Sequence, residues 1–119
     1  MLTKNEMETF ASEWIDAWNA RDLKRVLSHY SSDIEFSSPF IVTVVGEPSG
    51  SLRGKDAVHA YWTKALARLP ALKFKLINIA VGVNSIVINY EREDGRYASE
   101  SFEFGHDGKV LRSAAHYGS

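Results

Sequence analysis

The chain lacks cysteine, has three prolines in 119 residues and contains no long hydrophobic run. The absence of cysteine excludes disulfide scaffolds, thiol catalysis and zinc sites with cysteine ligands. No apolar stretch is long enough to cross a bilayer, and none follows Lys4 to form a signal peptide, so the cytosol is the expected compartment. With 14 basic and 15 acidic residues and no basic run, the chain offers no electrostatic footprint for nucleic acid or an anionic membrane.

Metal and cofactor sites are also not expected. The four histidines lack the spacing of a helical metal-binding pair, and no cluster of Asp or Glu surrounds any of them. The glycines in residues 46–54 do not form a phosphate-binding loop pattern. We therefore predict no metal and no cofactor.

Aromatic side chains are present in excess. Three Trp, five Tyr and six Phe make up 12% of the chain. Aromatic residues either pack in a core or line a cavity. A length of 119 residues, with no repeat and no linker, predicts one domain over residues 1–119.

The order of the predicted elements indicates an α+β domain whose helices precede most of its strands. Thr3 and Glu6 have the spacing of a capping box. A second helix begins after Asp22, and a third ends at Pro70. Between these helices, residues 34–39 alternate as a short strand, residues 40–45 form a further strand, and residues 46–54 form a mobile loop or turn, within which residues 47–50 are interpreted as a flap over the cavity mouth. The apolar stripe of the first helix consists of Met7, Phe10, Ala11, Trp14, Ile15 and Trp18.

Four strands complete the chain, over residues 72–83, 85–93, 96–104 and 109–117. Asp94-Gly95 is a pair preferred in two-residue hairpin turns, which would place Asn89 opposite Glu100. We expect the helices to cover the concave side of this curved sheet. The inward face of the hairpin then consists of Val87, Asn89, Ala98, Glu100, Phe102 and Phe104.

Four segments resemble the nuclear transport factor 2-like superfamily and, within it, SnoaL-like proteins. The resemblance implies a cone-shaped α+β domain with three helices, all on the N-terminal side, packed on the concave face of a curved and mostly antiparallel sheet. This fold hosts isomerases, dehydratases, cyclases, hydrolases and non-catalytic modules, so it does not define an activity. The segments are WIDAWNARDL (14–23), YSSDIEFSSP (30–39), LRGKDAV (52–58) and FEFGHDGKV (102–110).

The resemblance extends distantly to ketosteroid isomerase. The tyrosine, the general-base aspartate and the protonated acid of that pocket correspond here to Trp14, Ser38 and Glu100. A serine without an activating partner cannot take a proton from carbon near neutral pH, so isomerisation by that mechanism is disfavoured. Glu100 is a candidate acid or base if it faces inward, where burial would raise its pKa. The alternative is a strand acid that is solvated or bridged to Asn89.

Several aromatic residues have two interpretations. Trp14, Trp18, Tyr61 and Trp62 come from two helices that cover one sheet, so they form either the walls of a cavity or an ordinary core. Trp62 lies off its helical stripe and faces the pocket entrance or a partner subunit.

The ends of two strands complete the candidate site. Ser38 either orients a ligand or only starts the turn at Pro39. The ketosteroid isomerase comparison turns Tyr117 inward and His116 outward. Besides Glu100, the predicted pocket comprises Trp14, Trp18, Phe36, Ser38, Tyr61, Trp62, Asn89, Phe102 and Tyr117.

Three functions fit this prediction. The first is the binding of a small apolar or aromatic molecule. The second is an isomerase, cyclase or dehydratase that acts on a small hydrophobic, polyketide-like or steroid-like substrate, with Glu100 as acid or base. The third is homodimerisation through the convex sheet face. The lack of a clear base at Ser38 favours the first function.

Overall fold

A six-stranded sheet carries four helices in the computed structural model, which describes all residues from Met1 to Ser119. The sheet order is β2-β1-β6-β5-β4-β3, with β1 and β6 parallel and every other pair antiparallel. The α+β class, with helices on a mostly antiparallel sheet, is therefore confirmed. The elements are α1 (Lys4–Asn19), α2 (Leu23–Leu27), β1 (Tyr30–Ser37), α3 (Pro39–Val45), β2 (Ser51–Arg53), α4 (Lys55–Ala67), β3 (Lys75–Gly82), β4 (Ser85–Glu91), β5 (Tyr97–Phe104) and β6 (Val110–Tyr117).

Helix α1 begins at the predicted capping box. The Thr3 hydroxyl accepts a hydrogen bond from the backbone N–H of Glu6 at 3.1 Å, and the Glu6 carboxylate accepts one from the backbone N–H of Thr3 at 2.9 Å. These bonds satisfy two N–H groups that have no partner within the helix. The helix buries its apolar stripe against the sheet, with Met7, Phe10, Ala11, Trp14, Ile15, Ala17 and Trp18 all buried.

The turn after α1 ties this helix to α4 through Arg21. This residue has a φ of 57°, which is uncommon for a residue other than glycine. Its guanidinium donates to the backbone oxygens of Leu66 at 2.7 Å and Leu69 at 2.8 Å. These carbonyls lie at and just beyond the C-terminal end of α4, where a positive charge is favourable.

Residues 40–45 lie in helix α3, so the strand predicted there is wrong. Ser38 is the N-cap, and its hydroxyl accepts a hydrogen bond from the Phe40 N–H at 3.2 Å. Pro39 occupies the first helical position, where a missing N–H is tolerated. Gly46 ends the helix in the left-handed conformation, with a φ of 75°. The capping signals therefore outweigh the strand preference of the β-branched residues.

The stretch predicted as a mobile loop or turn, residues 46–54, contributes to the sheet. Strand β2 pairs antiparallel with residues 35–37 of β1. The Ser38 N–H also donates to the backbone oxygen of Gly50 at 2.9 Å. Residues 51–53 therefore form an edge of the sheet where a loop was predicted, whereas residues 47–50 lie outside the strands and the flap there stays a prediction.

The β4–β5 hairpin turns through three residues instead of the predicted two. The Arg92 N–H donates to the Arg96 oxygen at 2.7 Å, and the Gly95 N–H donates to the Arg92 oxygen at 2.9 Å. A two-residue turn of the predicted type requires positive φ at both Asp94 and Gly95, but only Gly95, at 83°, has it.

The extra turn residue moves the strand register by one position. Glu100 lies opposite Ile88, and Asn89 lies opposite Ser99. The predicted pairing of Asn89 with Glu100 is therefore wrong, as is the inward placement of Val87 and Asn89. The buried face of the hairpin consists of Ile86, Ile88, Tyr90, Ala98, Glu100, Phe102 and Phe104.

Replacing Gly95 with alanine should lower the free energy of unfolding by about 1–2 kcal/mol, because the left-handed conformation strains L-residues by this amount. An added Cβ would meet only the Glu91 carboxylate at 4.0 Å, so backbone strain and not a clash is the cause. Urea unfolding followed by tryptophan fluorescence measures the loss. Gly95→Asn is the matched control, since asparagine tolerates this conformation better. Equal losses in both variants would contradict the explanation.

Candidate functional site

A cavity of about 250 Å³ lies between the helices and the inward face of the sheet. Of its 18 lining residues, 14 are hydrophobic, so the walls suit an apolar body. A cavity of roughly 150 Å³ already holds benzene, so this volume suits a ligand of one or two rings. The aromatic wall residues are Trp14, Trp18, Phe36, Phe40, Tyr61, Trp62, Phe74, Tyr90 and Tyr117.

Trp14 joins helix α1 to the sheet at the inner end of this site. Its indole N–H donates to the Tyr30 hydroxyl at 3.1 Å. Its ring stacks on Phe74 and makes edge contacts with Tyr90 and Phe102 at centroid distances of 5.4 Å. Edge-to-face arrangements of this kind stabilise aromatic pairs beyond simple burial. Trp14 is therefore both wall and core.

Phe74 reaches the cavity because Asn19 fixes its backbone. The Asn19 side chain donates to the Phe74 oxygen at 2.8 Å and accepts from its N–H at 2.7 Å. Asn19 is the last residue of α1, so this pair of bonds attaches the segment before β3 to the end of the helix.

Trp18 and Trp62 form the helical side of the cavity. Their rings make an edge contact at 5.0 Å, and Trp62 also contacts Tyr30 and Phe36 at 5.4 Å. Trp62 is buried in the wall, so it does not face a partner subunit as one interpretation held. The Trp18 indole N–H, in a side chain only 6% exposed, has no hydrogen-bond partner. A buried donor without a partner is costly, so this N–H is available to a ligand oxygen.

Glu100 is the one acidic residue in the cavity wall. The residue is 4% exposed, and its Oε2 atom has no hydrogen-bond partner. Burial raises the pKa of Glu100 to about 8, while the nearby hydroxyls of Tyr90 and Ser113 oppose this rise only in part. The carboxyl group is therefore mainly protonated at neutral pH, and it can donate as well as accept a hydrogen bond.

Tyrosine hydroxyls surround this acid. Burial, followed by the charge of Glu100, raises the pKa of Tyr30, Tyr90 and Tyr117 above the ordinary tyrosine value. These phenols therefore stay protonated throughout the physiological range and act as hydrogen-bond donors or acceptors, not as bases.

The cavity reaches the surface beside α3, where the lining residue Phe40 is 38% exposed, and we call this part of the wall, with Arg92 next to it, the mouth. The guanidinium carbon of Arg92 lies 5.1 Å from the Tyr117 ring centroid and 5.7 Å from that of Phe40. The two rings are themselves 4.4 Å apart. This arrangement has the geometry of cation–π contacts. Arg68 also lines the cavity, but it is exposed.

Most of the predicted pocket residues come together here. Ser38 is buried close to the Tyr61 and Tyr117 hydroxyls. Burial raises the pKa of both tyrosines, and the Ser38 hydroxyl lowers it by a smaller amount. Its observed hydrogen bond is the local one at the start of α3. His116 is exposed on the outer face. The predicted residues that line the cavity are Trp14, Trp18, Phe36, Tyr61, Trp62, Glu100 and Tyr117.

Two predicted pocket residues lie elsewhere. Phe102 is fully buried in the core, where its ring contacts Phe10 at 5.0 Å. Asn89 lies on the outer face of the sheet, where it donates to the Asn78 oxygen at 2.7 Å and accepts from Ser99 at 2.6 Å. The placement of Asn89 in the pocket is wrong, because it depended on the two-residue turn.

Eleven of the 18 lining residues were not predicted from the sequence, and Phe40, Arg92 and Phe74 are three of them. Phe40 was assigned to a strand, and the cap at Ser38 was the signal that would have corrected it. Arg92 follows Tyr90 by two residues and therefore faces inward as Tyr90 does, but this can be recognised only when the register of the hairpin is known. Nothing in the local pattern singles out Phe74, since its position depends on the distant Asn19.

The fold and the cavity define this chain as an α+β domain of the nuclear transport factor 2-like class. No helix in it is both long and apolar enough to span a membrane. Residues 11–117 match the model of the SnoaL-like domain, and the chain belongs to that family.

Solved structures support this assignment. A SnoaL-like protein of unknown function from Burkholderia thailandensis is 50% identical, with 98% of each chain covered and a TM-score of 0.93. TerC, crystallised with polyporic acid, is 16% identical, with 93% of this chain and 90% of that chain covered and a TM-score of 0.74. An NTF2-like protein of unknown function from Burkholderia pseudomallei is 16% identical, with 93% and 89% covered and a TM-score of 0.70. The last two show the fold alone. No curated protein matches the chain.

The raised pKa of Glu100 makes a prediction about stability. Because the pKa is about 8 in the folded protein against 4.5 for an ordinary glutamate, the folded state holds an extra proton between these values. This contribution to stability should be complete below pH 4.5 and be lost as the pH rises to about 8, by up to about 1.4 kcal/mol per pH unit. Glu100→Gln should remove this loss.

Urea unfolding at several pH values in this interval measures the effect. Glu103→Gln is the matched control on the same strand, because Glu103 points outward with 58% of its side chain exposed. That variant should keep the pH dependence of the wild type. The same slope in the wild type and in Glu100→Gln would mean that Glu100 titrates normally.

Proposed function

We propose that this protein binds a small apolar or aromatic molecule in the cavity. The observation that supports this most directly is a pair of buried polar atoms without partners, Trp18 Nε1 and Glu100 Oε2, on residues that line an otherwise apolar space. Buried polar groups in a packed core are almost always paired. A small number of polar groups among apolar walls is typical of a ligand site, where they orient the bound molecule.

Filling the cavity should abolish binding. Ala65 lines the cavity, so Ala65→Phe places a ring where the ligand would lie. Ala60 is exposed on the same helix, so Ala60→Phe adds the same ring outside the cavity. With 2-naphthol as the probe, calorimetry should detect binding to the wild type and to Ala60→Phe, and at least about tenfold weaker binding to Ala65→Phe.

Thermal unfolding of each variant checks that both are folded. Equal affinity of both folded variants for 2-naphthol would place the probe outside the cavity. No binding of 2-naphthol to the wild type would count against the proposed function itself.

A second function is enzymatic, and the chemistry of Glu100 favours it. A carboxyl group that is protonated near neutral pH can donate its proton to the oxygen of a bound ketone as that ketone enolises. In this step the C–H bond next to the carbonyl breaks, water takes that proton, and the enol oxygen receives the proton of Glu100. An isomerase, cyclase or dehydratase acting on a hydrophobic ketone uses a step of this kind.

Deuterium exchange tests this second function. The protein should accelerate exchange of the protons next to the carbonyl of 2-tetralone in deuterated water, as measured by NMR. Glu100→Gln, which lacks the acidic proton, should lose most of the acceleration, on the order of 100-fold. Glu103→Gln should retain it, since that residue points outward. If the wild type binds 2-tetralone but does not accelerate the exchange, the enzymatic function is contradicted and binding remains the proposed function.

The outer face of the sheet supports a homodimer as a further role that is compatible with binding. The central part of a protein interface is typically depleted of charged residues. The register aligns an uncharged row of small or medium side chains across five strands, and this row is where a second copy would pack. It consists of Ala80, Val87, Ser101, Ala114 and Ser37.

A further inference from the structure

We propose that the ligand of this cavity is an aromatic carboxylate whose anionic group binds Arg92 at the mouth. This inference rests on the proposed binding function and narrows it to a class of ligand. It starts from the position of Arg92, which lines the cavity with only 13% of its side chain exposed. A largely buried guanidinium normally has a carboxylate or several acceptors bound to it, because burial of an uncompensated charge is costly.

Within the chain Arg92 forms one long ion pair, with Glu93, and its guanidinium donates no hydrogen bond to a side chain. The nearest carboxylate oxygen belongs to Glu93 and lies 3.8 Å from the Arg92 Nη2 atom, which is longer than a hydrogen bond. The other recorded neighbours of the guanidinium are the faces of Phe40 and Tyr117. Aromatic faces attract the charge but leave the N–H groups in the plane of the guanidinium free. These donors match the two oxygens of a carboxylate.

The acid in the cavity wall, Glu100, does not neutralise Arg92. The pKa of Glu100 is shifted by burial and by the hydroxyls of Tyr90 and Ser113, and no cation contributes to this shift. The largely aromatic cavity wall therefore carries a protonated acid and a guanidinium whose N–H groups make no hydrogen bond. A flat ring system with a carboxylate at one end complements this distribution.

Arg68 is the other cation on the cavity wall. It is exposed, so water solvates its charge, and it lies outside the aromatic cage formed by Phe40 and Tyr117. A solvated cation at a rim gains little from an ion pair. Arg92 is therefore the residue expected to select for the anion.

A matched pair of probes tests this inference. Naphthalene-2-carboxylate and naphthalene-2-carboxamide have nearly the same shape, but only the first is anionic. By calorimetry the wild type should bind the carboxylate at least about tenfold more tightly than the amide, the margin expected of charge-assisted hydrogen bonds at a largely buried site. Arg92→Met should remove this preference and leave the affinity for the amide within about threefold.

Two further variants distinguish charge from packing. Glu93→Gln removes the weakly placed acid next to Arg92, so it should increase the affinity for the carboxylate and not for the amide. Arg96→Met is the matched control in the same hairpin, because the Arg96 side chain is 66% exposed. It should leave both affinities unchanged.

The outcomes separate this inference from the proposed function. Equal affinity of the wild type for both probes would overturn the role of Arg92 while leaving apolar binding intact. A parallel loss of both affinities in Arg92→Met, with no response of the carboxylate to Glu93→Gln, would also overturn it, since packing and not charge would then be the cause. No binding of either probe to the wild type would contradict the proposed function.

Discussion

The rest of this structure depends on the contact between helix α1 and the sheet, which the Trp14 side chain makes. Trp14 donates its only N–H to Tyr30 of β1 and packs its ring against Tyr90 of β4 and Phe102 of β5. Because this single side chain fixes the distance between α1 and three strands, the space beside it cannot collapse. The cavity is the volume left between that fixed contact and the wall formed by Trp18 and Trp62. The protein thus has an incompletely filled interior although most of its aromatic residues are buried.

The parts of the fold that could be predicted are those determined locally. The capping box at Thr3 and the helical stripe behind it involve residues within a few turns of each other, and both were confirmed. Residues 40–45 were assigned to a strand because β-branched residues dominate them, although Ser38 and Pro39 provide a helix start. The predicted register of the hairpin was wrong for a related reason. Asp-Gly pairs occur in more than one type of turn, and these types differ by one residue in the strand pairing that they produce.

The residues of the candidate site also divide into those that a local pattern predicts and those that distant contacts position. Alternation along β5 placed Glu100 on the same face as Phe102 and Phe104 without any knowledge of the turn, so its burial did not depend on the wrong register. Asn89 depended on that register and was misplaced. Phe74 and Arg92 could not be found locally, because Asn19 positions Phe74 across 55 residues and the inward position of Arg92 depends on the register of the β4–β5 hairpin. Pockets are built from long-range contacts, which a single sequence specifies only weakly.

The bonds that Arg21 makes to the end of α4 have a consequence for how a molecule enters the interior. They connect the turn after α1 to the C-terminal end of α4, where Leu66 and Leu69 also line the cavity. Helix α3 is held differently, since Ile41 is its only buried residue, while Phe40 and Val42 are largely exposed. A shift of α3 therefore exposes less buried apolar surface than a shift of α1 or α4, which bury seven and four residues. A molecule that enters beneath α3 meets Phe40, Tyr117 and Arg92 first.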